Sequence, residues 1–298
     1  MTIYSFQMTC DDDKCQWEKL QTSRHENMRR ECARFHEKPA NNLTRWLQQH
    51  RYFLHFVWFS DRHKALYCSV AKAGCTNWKK VFYLMNIMGQ KDKSKEKVDL
   101  SQISDIHWFT RHSPWRLSSV KSLDEVVHRL QTYRSFVFAR EPFTRVVSAF
   151  KDKFENHGNQ EGWQKWTRII HKQLNITRTS EIESLSFDDF IDYVSNPGIQ
   201  STYVGADKHW LPVAENCFPC QIRYDVIGKL ETIDKDARYI LEHFEVPELI
   251  DVISERTAHQ TNSSDKGYLQ KYRSKLAGAQ IEAFKRRYEH DYKMFGYA

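Results

Sequence analysis

Two stretches of this chain repeat one architectural device, and that repetition constrains the fold more than any other feature. The first is LYCSV at 66–70, which runs on into AKAGCTNWKK. A short apolar run breaks into a turn of small residues holding one lysine, Lys72, then resumes as a helical pattern that ends at Gly89. The second is SFVFA at 135–139, followed at once by REPFTRVVSAFKDKF at 140–154. Arg140 closes this apolar run. Pro142 suits a first helical turn, where its missing N–H costs nothing, and Val146, Val147, Phe150 and Phe154 recur at helical spacing. DVIGKL at 225–230, with Ile233, Ala237, Ile240, Leu241 and Phe244 behind it, reads as a third strand and its helix. Strands alternating with helices predict an α/β fold with a central, mostly parallel sheet flanked by helices.

Ligands of a parallel sheet bind beyond the carboxyl ends of its strands, beside helix N-termini. Lys72 and Arg140 both fall on that edge, so two cations are placed to hold an anion with two separated phosphates. Ala71, Ala73 and Gly74 let backbone approach a ligand closely, and free N–H groups at the following helix would take an oxyanion. The lysine precedes the glycine, which argues against a nucleoside-triphosphate loop of the G-x-x-x-x-G-K-[ST] kind and against a kinase. Structural readings compete with these. The first corner alone is also an ordinary strand–turn–helix corner, Arg140 has Glu141 beside it, and Ser148, eight residues on, is a helix serine that can bond a carbonyl one turn back.

With 298 residues, 40% of them hydrophobic and 14% aromatic, the chain can bury a real core. Residues 1–50 are polar and read as a stem-like, loosely packed segment with helix potential around 24–37; the folded domain is expected over 51–298. The tail from about 268 to 295 reads as one long amphipathic helix, and Ser186 with Asp189 marks the start of another at FDDFIDYV. The net charge of +7 favours an anionic partner, for which nucleic acid, sulfated glycan and nucleotide all qualify. No apolar run reaches the ~18 residues that span a bilayer, and the first residues lack a signal-peptide pattern. Seven cysteines include a C-x-x-C at 217–220. It lacks the second ligand pair of a zinc site, so a disulfide within it or to another cysteine is the better reading. Sequons at Asn42, Asn175 and Asn262 point weakly to a lumenal compartment.

YCSVAKAGCTNWKK resembles the 5′-phosphosulfate loop of the Golgi carbohydrate sulfotransferases, P-K-V-[GA]-C-[ST]-N-W-K. FVFAREPFTRVVSAFKDKF resembles their 3′-phosphate motif, R-[DE]-P-F-x-R-[LV]-[VI]-S-A-[FY]-x-x-K-F. KHWLPVAENCFPCQIRYDVIGKLETI and the terminal YKMFGY are similar to further blocks of the chondroitin 4-O- and HNK-1-type members, and the four blocks stand in the family's order over about 66–298. The resemblance implies a P-loop-like sulfotransferase fold and the donor 3′-phosphoadenosine 5′-phosphosulfate, with no metal. It implies that Ala71, Lys72, Ala73, Gly74, Cys75, Thr76 and Asn77 wrap the 5′-phosphosulfate, and that Arg140 and Ser148 bind the 3′-phosphate. Lys72 would act on the leaving phosphate. His209 and His107 are the candidates for the base, with Asp207 and Glu141 behind them. The acceptor it implies is a glycan hydroxyl rather than nucleic acid, first GalNAc O-4 of chondroitin or dermatan, then a terminal glucuronic acid. A glycan-binding protein that has lost turnover is the alternative of another class. The setting implied is the Golgi lumen as a type II membrane protein, held by an anchor that this sequence does not show. Three departures stand out: Ala71 replaces the family's proline, Ala73 its valine, and Lys208 stands where glutamate often precedes H-W.

Overall fold

The computed structural model describes residues 12–87, 113–158, 160–176, 184–196, 198, 207–254 and 265–297. Its centre is a four-stranded sheet in the order β1-β2-β3-β4. The strands are β1 (Val57–Ser60), β2 (Ala65–Cys68), β3 (Arg134–Ala139) and β4 (Val226–Lys229). β2, β3 and β4 run parallel, with Tyr67 opposite Phe136 and Val137 opposite Ile227. β1 is an antiparallel edge joined to β2 by a short connection. It is the element that sequence reading misses, because YFLHFVWF divides between a 3-10 turn at Arg51–His55 and a four-residue strand.

The expected strand–helix units are present. β2 leads to a helix at Cys75–Ile87, β3 to one at Pro142–Phe150, and β4, through a short 3-10 turn, to one at Ile233–His243. The three strands therefore end on one edge of the sheet, and the turns that follow them lie side by side. Trp78, fully buried, packs against Phe136 and Phe138 at ring-centroid distances of 4.6 and 5.1 Å and locks the first helix onto the sheet. Gly228 on β4 faces the same layer. A Cβ there would come within 2.5 Å of the Phe138 ring. Gly228→Ala should therefore force the ring to shift and cost about 1–3 kcal/mol, read as a lower urea midpoint with an unchanged slope.

Three differences from expectation have physical causes. The 1–50 stretch is not loosely packed where it is described. A helix at Asp13–Arg34 lies along β4, and its polar residues are the contact. The Gln21 side-chain amide donates to the Ile227 carbonyl at 3.1 Å and accepts from the Ile227 N–H at 3.0 Å, completing the ladder of an edge strand. Arg24 pairs with fully buried Asp236 at 2.9 Å. A polar composition hides a buried role here. Second, the tail is three helices, Lys266–Arg273, Gly278–Arg287 and Glu289–Met294, instead of one. The break at 274–277 is capped from beyond by Gln280, whose Oε1 accepts from the Ala277 N–H. Third, the helix after β3 leaves α-geometry at Lys151–Glu155, which forms a π turn closed by Asn156 N–H to the Lys151 carbonyl at 2.9 Å.

The C-x-x-C is divided between two long-range disulfides, Cys68–Cys217 and Cys32–Cys220. Both sulfurs are consumed, so a zinc reading of the motif fails. The first bond ties the end of β2 to the segment after the H-W block, and the second ties the N-terminal helix to the same place. A second apolar cluster forms from Val146, Phe150, Phe190, Trp210, Phe284 and Tyr288, none of them on a strand. Ser186 caps the helix at Phe187–Ser195 as expected, accepting from the Asp189 N–H at 3.2 Å. Among the described residues no helix is long and apolar enough to cross a membrane.

Candidate functional site

The turn after β2 runs through two left-handed residues, Lys72 at φ 67° and Gly74 at φ 78°. Gly74 is needed on two counts: its backbone is in the glycine region, and a Cβ would stand 3.0 Å from Ile233 Cδ1. Lysine in this region is strained by on the order of 1 kcal/mol and must be held there by its surroundings. Part of that hold comes from the second corner. Arg140, 7% exposed, donates from Nη1 to the Lys72 carbonyl at 3.1 Å. The two cations predicted to share an edge are thus joined directly, one guanidinium bracing the turn that carries the other's ammonium. Burial lowers the Arg140 guanidinium to about 10 against the opposing pull of Glu231 and Glu141, and it keeps its charge at neutral pH.

Glu141 does not serve as the main partner suggested by adjacency. Its carboxylate is turned to the helix start, accepting from the N–H groups of Phe143 and Thr144 at 3.1 and 2.7 Å and from Tyr292 Oη at 2.9 Å. That assignment weakens it as a base and caps the second helix, so the dipole of that helix is partly spent. Ser148 is buried on the same helix, two turns beyond Arg140. Of the loop residues, Ala71 and Ala73 are buried, and Cys75 and Thr76 begin the helix, half-buried. The Asn77 side-chain amide donates to the Ile253 carbonyl at 3.0 Å and ties the helix to its neighbour.

Cys75 is a free thiol. Burial raises its pKa, but the fields of Lys79, Lys208 and Lys72 outweigh burial and hold it below the ordinary thiol range. The same pull shows that Lys208, from the H-W block, has been brought to the loop although 136 residues separate Lys72 from Lys208. The brace is Arg145, the second arginine of the R-E-P-F-x-R stretch. It is fully buried and donates to the carbonyls of Leu211 at 2.6 Å and of His209 and Trp210 at 3.5 Å. The motif's spacing was the available signal for it, since five residues after Arg140 places it in the helix that follows the corner.

His209 sits where a base could work. Its Nδ1 faces the Asp207 carboxylate, and the same oxygen accepts the His209 backbone N–H at 2.8 Å. Burial, with Lys153 and Lys208 nearby, lowers the imidazole to about 4 although Asp207 pulls it upward. The ring is therefore neutral at physiological pH. With the Nδ1 proton directed to Asp207, Nε2 carries the lone pair. Trp163 stands edge-on to this ring at 5.7 Å and takes Lys153 Nζ over its face at 4.9 Å. Trp166 packs edge-on against Trp210 at 5.3 Å, a core contact. His107 lies outside the described residues.

Asp152 and Lys153, on the π turn, were not singled out by sequence. Asp152 accepts Lys72 Nζ at 3.2 Å and Lys153 Nζ at 2.9 Å, and His157 Nδ1 lies 3.4 Å away. Burial would raise this carboxyl, but the two lysines hold it down at about 2. Burial also lowers Lys72, in part offset by Asp152. Among the described residues no cluster of His, Cys, Asp or Glu could hold a metal ion.

The arrangement is an anion cradle with a neutral imidazole beside it, suited to binding a doubly phosphorylated group and taking a proton next to it. The family model described as "Sulfotransferase family" matches residues 55–298. Carbohydrate sulfotransferase 10 of Xenopus laevis is 33% identical over 254 residues, covering 83% of this chain and 68% of that protein. Carbohydrate sulfotransferase 8 of Mus musculus is 31% identical, covering 94% of this chain and 64% of the relative, and carbohydrate sulfotransferase 9 of Homo sapiens is 31% identical, covering 81% and 53%. The chain thus spans between about half and two thirds of the length of these relatives. No solved structure gives a significant match. A family match over the whole sheet and both corners, on a site built from those corners, establishes that this chain belongs to the sulfotransferase family and groups with its carbohydrate sulfotransferases.

Proposed function

We propose that this protein transfers a sulfuryl group from 3′-phosphoadenosine 5′-phosphosulfate to a glycan hydroxyl. The observation that carries this reading is the Arg140 guanidinium bonded to the carbonyl of Lys72, which makes one cradle of two basic corners on the ligand-binding edge of the sheet. In this reading the turn from Ala71 to Asn77 receives the 5′-phosphosulfate, and Arg140 and Ser148 receive the 3′-phosphate. The acceptor oxygen attacks sulfur in line. The new S–O bond forms as the bond from sulfur to the 5′-phosphate oxygen breaks. The hydroxyl proton passes to Nε2 of His209. Charge gathering on the leaving phosphate is met by Lys72 and the N–H groups of the loop.

The acceptor we favour is GalNAc O-4 of chondroitin or dermatan, on the resemblance of the H-W and C-x-P-C blocks, with a terminal glucuronic acid second. The surplus of 7 positive charges suits either uronate-containing glycan. A lumenal setting is supported by Cys32–Cys220 and Cys68–Cys217, since such bonds persist in oxidising compartments. The test is transfer of radiolabelled sulfate from the donor to desulfated chondroitin, desulfated dermatan and a glucuronic-acid-terminated oligosaccharide, with Lys72→Ala alongside. Transfer lost in that variant supports the reading, and the preferred glycan assigns the acceptor. Binding of adenosine 3′,5′-bisphosphate with no transfer to any of the three would overturn the acceptors named and favour a glycan-binding protein.

A further inference from the structure

A carboxylate in direct contact with the cation of an anion cradle is out of place if the cradle serves only to bind. Asp152 is 7% exposed, and its Oδ2 is shared by Lys72 at 3.2 Å and Lys153 at 2.9 Å. It lies four residues beyond Ser148, as the second residue of the π turn. Single π turns concentrate at functional sites, where they redirect side chains that a regular helix would point elsewhere. Here the turn aims one carboxylate and one ammonium back at the Lys72 loop.

We propose that Asp152 is the resident counter-ion of Lys72, given up when the donor binds and taken back as the bisphosphate product leaves. The inference rests on the donor reading above and adds a residue to it. The Lys72 side chain is only 13% exposed, and its charge needs a partner there. The 5′-phosphosulfate then arrives with negative charge of its own, and Lys72 cannot serve both at full strength. Lys153 retains Asp152 through the exchange, so the carboxylate is never left buried and unpaired. The donor and the product share the 5′-phosphate position, so a carboxylate that weakens one weakens the other. Its benefit falls on release, a step that limits many enzymes. Asp152 is therefore a positioning residue, acting on the reaction through Lys72.

The sign of the effect separates this role from scaffolding. In Asp152→Asn the repelling charge is gone, and adenosine 3′,5′-bisphosphate should bind about tenfold more tightly by calorimetry. The KM for donor and kcat should fall together, with a burst of sulfated product before the slow steady state. Asp152→Glu keeps the charge and should restore wild-type release. The tightening should vanish when Asp152→Asn is combined with Lys72→Ala, because the effect passes through that ammonium. Asp152→Ser is made in parallel, so that failure of one variant to fold leaves the other to decide. Weaker bisphosphate binding in either neutral variant, or equal tightening with Lys72 removed, overturns the inference. If the wild-type protein binds no bisphosphate at all, the donor reading itself fails. If wild-type binding depends on Arg140 while the neutral Asp152 variants bind more weakly, this inference alone fails.

Discussion

Alanine at position 209 should lower kcat for sulfuryl transfer by about 10²- to 10⁴-fold, the range for loss of a general base, while bisphosphate affinity stays close to that of the parent. In the proposed reaction the ring meets the acceptor hydroxyl and not the donor, so the loss belongs in kcat. The pH profile carries the diagnosis. A general base works only when neutral, and the pKa of His209 is depressed to about 4. The rate should therefore be flat through neutrality and fall on the acid side near pH 4, well below the ordinary histidine range. Asp207→Asn removes the carboxylate that pulls the ring's pKa upward and orients Nδ1. Its plateau should drop and its acid limb should move to still lower pH. The same shift has a stability consequence. The unfolded chain binds a proton at His209 near pH 6.5, and the folded chain does so only near 4. The contribution is complete above 6.5 and is lost as pH falls from 6.5 through 4, up to about 3 kcal/mol. His209→Gln should flatten the thermal melting temperature across that window. An unchanged kcat in His209→Ala would move the base to another group, His107 first.

The corners that carry the site are legible in the sequence because local rules act on them without competition. Small residues around one lysine, and an arginine at the last position of a buried run, have meaning from strand and turn geometry alone. What they contact is less legible. Asp152 in KDKF has the look of a solvated helix residue, and only the π turn brings it to a lysine 80 positions earlier. The Asp207–His209 pair depends on Arg145 holding the H-W segment against the second helix, a contact that no periodicity predicts. Gln21 and Arg24 mislead for the same reason. Side chains that satisfy a sheet edge and a buried carboxylate must be polar, so the helix that carries them has a weak apolar stripe and reads as a stem. The two cysteines of the C-x-x-C look like one unit in sequence, yet each is drawn to a different partner by the way the helix at Asp13–Arg34 and β2 converge on that turn. Local chemistry is written in local sequence, and long-range pairing is written in the core that brings distant segments together.

Lys72 and Arg140 should fail in different ways when replaced, although one is bonded to the other. In the proposed reaction, Lys72→Ala removes the cation assigned to the charge developing on the leaving phosphate. It should cost on the order of 10²- to 10³-fold in kcat, as removal of a preorganised charge-stabilising group does. It should cost less in bisphosphate affinity, because the loop N–H groups and Arg140 remain. Arg140→Ala removes a buried charged donor that bonds the Lys72 carbonyl at 3.1 Å. Bisphosphate binding should weaken on the order of 10²-fold, the equivalent of one charge-assisted hydrogen bond or slightly more. Arg140→Lys should recover little of this, since an ammonium lacks the fork that can hold the carbonyl and a phosphate together. Because the guanidinium also braces a lysine in the left-handed region, the two losses should not add in the double variant. Once Arg140 is absent, Lys72 is no longer held in place to be lost. Additive losses would mean that the two corners bind independently. Unchanged bisphosphate affinity in Arg140→Ala, with only a lower melting temperature, would reduce the guanidinium to a brace of the turn and leave the 3′-phosphate without its main partner.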